Sequence, residues 1–100
     1  MRLSPHQRRI IRQTLERHFG RSSVIRLFGS RVDDTARGGD IDLYIEPEIQ
    51  GPDELVDARL NALAELHRLL GDQKIDIVIR RAGAADLPIH QHARETGIQL

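Results

Sequence analysis

The spacing of hydrophobic positions changes period several times along this chain, and each change marks an element. Up to residue 20 the period is helical, with Ile10, Ile11, Leu15, His18 and Phe19 on one face. Ser4 supplies an N-cap, Pro5 suits the first helical position, and Gln7 completes a Ser-x-x-Gln capping box. Gly20 supplies the stop. Val24-Ile25-Arg26-Leu27-Phe28 is a short run of β-formers ending at Gly29-Ser30, which predicts a buried strand. Residues 31–39 are polar and close on Gly38-Gly39, as a loop with room for one helical turn. Residues 40–46 then alternate strictly between polar and apolar, the mark of a strand with one buried face.

Pro47 and the Gly51-Pro52 pair break that strand. Over 53–70, Val56, Leu60, Leu63, Leu66 and Leu70 predict an apolar helical stripe, closed by Gly71. Residues 75–79 read as a third strand, and 87–96 as a short final helix stopping at Gly97. The order is helix, strand, strand, helix, strand, helix. One α/β (α+β) domain over residues 1–100, with a small mixed three- to four-stranded sheet and helices on one face, satisfies every such stripe.

Composition narrows the class without naming a function. A length of 100 residues supports a single core, and 39% hydrophobic with 30% charged residues is ordinary for a globular chain. Fifteen basic residues balance fifteen acidic ones, so no global field draws the chain to a membrane, and direct nucleic-acid binding is not expected. Lys74 is the single lysine among many arginines. The absence of cysteine excludes disulfides and thiolate zinc sites. No segment reads as a signal peptide or a membrane span, which leaves the cytoplasm as the expected location.

Chemistry concentrates on the second predicted strand. Side chains two apart on a strand share a face, so Asp40 and Asp42 project together, with Cα atoms roughly 6.5–7 Å apart. Ile41, Leu43 and Ile45 bury the other face and fix that register. By the same alternation Asp76 points away from Ile75 and Ile77, towards the other carboxylates if the strands are neighbours. Three carboxylates on one face suit magnesium, with phosphate oxygens and water filling its shell, and one or two ions fit the requirement. Gly29 after a buried strand lets backbone approach a phosphate, and Ser30 offers a hydroxyl and an N–H. Arg31 and Arg37 lie in the same loop and suit a triphosphate, although the P-loop pattern is missing. Tyr44 shares the polar strand face; bordering a nucleotide, modification and plain packing all remain open for it.

Alone, an Asp-x-Asp on an alternating strand is usually a solvated face. Its company changes that. Gly29-Ser30-Arg31, a polar spacer, Asp40-Ile41-Asp42-Leu43 and a later strand carrying Asp76 resemble the minimal nucleotidyltransferases of the DNA polymerase β superfamily. The resemblance covers nearly the whole chain. It implies a nucleotidyltransferase core in which Gly29 and Ser30 hold the triphosphate tail of ATP. It also implies that Asp40, Asp42 and Asp76 bind magnesium, with Asp76 as a general base for the incoming hydroxyl. The spacer between Ser30 and Asp40 has nine residues, one fewer than the family's commonest version.

Larger relatives add a domain that grips the acceptor, and these 100 residues leave no room for one. The acceptor is therefore expected on a partner or within a homo- or hetero-oligomer. Minimal nucleotidyltransferases of this kind are often antitoxins of HEPN-type ribonuclease toxins, which implies transfer of AMP from ATP to a toxin tyrosine. Two further readings stand beside it. One is a non-catalytic antitoxin or interaction module that neutralises by binding; the other is nucleotidyl transfer to a small molecule or tRNA with a partner chain.

Overall fold

The computed structural model describes residues 3–32 and 40–100, leaving aside the Ser30 side chain. Helix α1 (Pro5–Phe19) begins as its sequence dictates: Ser4 Oγ accepts the Gln7 N–H at 3.1 Å, and Gln7 Oε1 accepts the Ser4 N–H at 3.0 Å. Strand β1 (Val24–Phe28) runs into a single 3₁₀ turn, Gly29–Val32. Strand β2 (Ile41–Glu46), helix α2 (Pro52–Leu70) and strand β3 (Ile75–Ile79) form a unit in which the helix connects two parallel strands. Helix α3 (Pro88–Thr96) leads into the two-residue strand β4 (Ile98–Gln99), which the hydrophobic pattern is too short to reveal.

The sheet is mixed, in the order β3-β2-β1-β4, with β1 antiparallel to both its neighbours. The fold is thus of the expected α+β class. Ile25 and Leu27 of β1, and Ile41, Leu43 and Ile45 of β2, form the inner face of the main core. Against them lie Ile11, Leu15 and Phe19 of α1 and four residues of α2.

Two expectations about the helices need correction. The buried stripe of α2 is Leu55, Ala58, Ala62 and Leu66, whereas Val56 and Leu60 are 59% and 61% exposed. Small alanines let the helix axis come close to the sheet and to α1. Of the expected stripe Leu66 is in the core, Leu63 and Leu70 pack against it part-buried, and Val56 and Leu60 are turned to solvent. Nor do all the helices share a face. The core that contains Phe28, Tyr44 and Ala93 is separate from the main one, so α3 covers the opposite side of the sheet. Phe28 and Tyr44 are the reason: they alternate with the inner-face residues, and two large rings on the outer face require a cover. Among the described residues, no helix is long and apolar enough to cross a membrane.

Candidate metal and nucleotide site

Strand pairing brings two of the three aspartates side by side. Asp42 pairs in register with Phe28 on one side and Asp76 on the other. Register partners project to the same face, on strands about 4.8 Å apart. Both carboxylates therefore stand at one end of the outer sheet face. Asp40 precedes β2 and is half-exposed; its Oδ2 lies 3.6 Å from Lys74 Nζ. The backbone ties these positions together, since the Ile41 N–H donates to the Lys74 carbonyl at 3.0 Å.

Gly29 completes the arrangement from β1. It has φ +76°, which favours glycine, and it starts the 3₁₀ turn. A Cβ built there would overlap Asp42 Oδ2 and lie 3.1 Å from Asp42 Cγ. The missing side chain at Gly29 is therefore what gives the Asp42 carboxylate its seat. In the sequence the same glycine suggests only close approach to a phosphate.

The electrostatics follow from this crowding. The Asp42 carboxyl is raised above the usual carboxylate range, chiefly by burial, then by the charges of Asp76 and Asp40, with Lys74 opposing. Arg31 points a guanidinium nitrogen at Gln73 Oε1, 2.9 Å away, and Gln73 is itself held by the Leu70 carbonyl at 3.0 Å. Lys74 is thus the cation that acts on the Asp42 and Asp40 carboxylates, while Arg31 bonds the neighbouring Gln73. Arg37 and the Ser30 side chain lie outside the described residues, although the Ser30 backbone belongs to the 3₁₀ turn.

An all-oxygen donor set of this kind suits a hard divalent cation better than zinc or copper. Among the described residues, no three acidic or histidine side chains are gathered into a finished cage. Asp42 and Asp76 are adjacent, while Asp40 is engaged with Lys74. Asp40 lies before the first paired residue and is held by Lys74, so the carboxylates that share a sheet face are those of Asp42 and Asp76.

Of the roles open to Tyr44 from its place on the polar strand face, packing is the one its contacts fill. Tyr44 is fully buried, donates its hydroxyl to Glu46 Oε2 at 2.7 Å and accepts from Arg94 Nη1 at 3.1 Å. Arg94 also grips Asp86 through two bonds, at 2.9 and 2.6 Å, and Arg80 Nε reaches the same carboxylate at 3.0 Å. This network fastens α3 over Tyr44. The Phe28 ring, in register with Asp42, meets His92 edge-on with centroids 6.4 Å apart. Buried Tyr44 packs and braces α3, and modification of its hydroxyl is sterically closed. His90 and His92 form no pair for a metal, because His90 Nδ1 accepts the Leu87 N–H at 3.0 Å while His92 meets Phe28.

Compared with known proteins, the chain matches no family model and no curated sequence.

Proposed function

We propose that this chain is a magnesium-dependent nucleotidyltransferase that moves AMP from ATP to a protein hydroxyl in the cytoplasm. The observation that carries this reading is Asp42 seated over Gly29 and in register with Asp76. On this reading Asp40, Asp42 and Asp76 hold magnesium, while Gly29, Ser30 and Arg31 face the triphosphate. The ion would polarise the α-phosphoryl group and draw charge from the leaving pyrophosphate. The acceptor oxygen forms a bond to the α-phosphorus as the bond to the pyrophosphate oxygen breaks. The acceptor proton passes to Asp76.

The acceptor is read as a tyrosine of a HEPN-type ribonuclease toxin, silenced by AMP. Tyr44 is this chain's single tyrosine and is fully buried, which supports an acceptor on another molecule. A second reading, neutralisation by binding alone, draws on Leu87 and Ile89, 50% and 43% exposed at the start of α3. One experiment separates the two. The chain is incubated with magnesium, α-labelled ATP and a candidate HEPN-type ribonuclease toxin, then resolved by electrophoresis. Label should reach the toxin with wild type and not with Asp42→Asn. Equal labelling by both would remove the metal-site reading, and toxin neutralisation without ATP would favour the binding module.

A further inference from the structure

Lys74 is the chain's single lysine, and it stands at the rim of the carboxylate cluster. Its ammonium is 3.6 Å from Asp40 Oδ2, with side chains 69% and 46% exposed. Its carbonyl is tied to Ile41, so its flexible stem springs from the point where β2 and β3 begin to pair. Arg31, by contrast, is anchored to Gln73 by a 2.9 Å bond. An ammonium on a flexible four-carbon stem is the group that can change partners here, whereas a bonded planar guanidinium is held in place.

Resting on the reading of these carboxylates as magnesium ligands, we propose that Lys74 is the resident counter-cation of the cluster, and that it exchanges Asp40 for a phosphate oxygen when metal and triphosphate arrive together. Lys74 and a bare divalent ion compete for the same Asp40 carboxylate. A bare ion displaces the ammonium and gives it nothing in return. A metal–triphosphate complex displaces it and offers a new anionic partner. Lys74 therefore weakens binding of the free ion and strengthens binding of the metal–nucleotide complex. It makes the site selective for the loaded nucleotide over the naked cation.

The test exploits these opposite signs. Free Mn²⁺ is titrated by electron paramagnetic resonance against wild type, Lys74→Met, Lys74→Arg and Asp42→Asn, with and without α,β-methylene-ATP. Lys74→Met should bind Mn²⁺ alone about three- to five-fold tighter, the scale an exposed ion pair supports. It should bind the Mn²⁺–nucleotide complex about ten-fold more weakly, the scale of a lost charged hydrogen bond. Lys74→Arg should restore both values towards wild type. Unchanged or weaker Mn²⁺ binding by Lys74→Met, or both affinities moving in the same direction, would overturn the proposal. If wild type and Lys74→Met alike bind no Mn²⁺ with or without the nucleotide, the carboxylates are not metal ligands, and the functional reading falls together with this one. Because the lysine is so exposed, the substitutions leave the core intact.

Discussion

Asp42 occupies the space that a side chain on Gly29 would fill: a Cβ on that glycine would overlap Asp42 Oδ2. Asp42 lies on β2, and Gly29 directly follows Phe28, the antiparallel partner of Asp42 on β1. Gly29→Ala faces two penalties. The positive φ of +76° costs about 1–2 kcal/mol for a residue with a side chain, and the carboxylate must turn away. The variant should therefore lose at least about 1–2 kcal/mol by urea denaturation and lose Mn²⁺ affinity as well. Unchanged Mn²⁺ binding in a folded Gly29→Ala would show that Asp42 does not need this seat.

Asp42→Asn should separate stability from function. Burial and two like charges disfavour the ionised Asp42, so in the absence of metal its charge opposes folding at neutral pH. For a carboxyl raised on folding, that penalty is present above the raised value and disappears as the pH falls below the ordinary value. Neutralising it should raise the metal-free Tm at pH 7 by about 2–4 °C. On the proposed reading magnesium should raise the wild-type Tm, and the same substitution should abolish that rise and reduce nucleotidyl transfer more than about 100-fold. A metal-free Tm below wild type would show that Asp42 makes stabilising contacts which outweigh its repulsions.

How far the site was legible depends on where alternation applies. Asp42 and Asp76 lie within paired strands, so the period of two fixed their common face, and parallel pairing made them neighbours. Asp40 precedes the first paired residue, Ile41, and beyond that point the ladder no longer dictates orientation; its carboxylate turns to Lys74. Lys74 was missed, although its place two residues before Asp76 was the available signal. The caps of α1 were readable because they are local chemistry. The placement of α3 was not, because it answers to Phe28 and Tyr44 on distant strands.

The corrected face of α2 makes a direct prediction. Leu66 is fully buried, whereas Leu60 is 61% exposed, although both belong to the stripe of large aliphatics seen in the sequence. Leu66→Ala should cost about 2–5 kcal/mol. Leu60→Ala should stay within about 0.5 kcal/mol of wild type. Chemical denaturation of the two variants checks this, and equal losses would restore the original stripe.

Tyr44 tests what holds α3 in place. Its hydroxyl links Arg94 of α3 to Glu46 of β2 within a buried site. Tyr44→Phe keeps the ring and removes both bonds, so it should cost about 1–2 kcal/mol. Amide exchange should quicken across 88–96 and stay unchanged in α1, where Tyr44 has no bond. Uniform acceleration over the whole chain would mean that α3 is not a separately fastened element.

Glu65 joins the two helices of the main core and sets an acid limit. It accepts from Arg17 Nη1 at 2.8 Å and from Nη2 of the same guanidinium. That pairing, more than any other influence, holds its carboxyl down at about 2. In the unfolded chain Glu65 titrates near the ordinary glutamate value of about 4.3. Its contribution is therefore whole above that pH and is lost as the pH falls towards 2. Glu65→Gln lacks the charge throughout, so its deficit against wild type should be a few degrees of Tm at pH 7 and shrink steadily between pH 4 and 2. Thermal melts across that range give the two curves. If they run parallel instead of converging, the bridge between α1 and α2 does not contribute through charge.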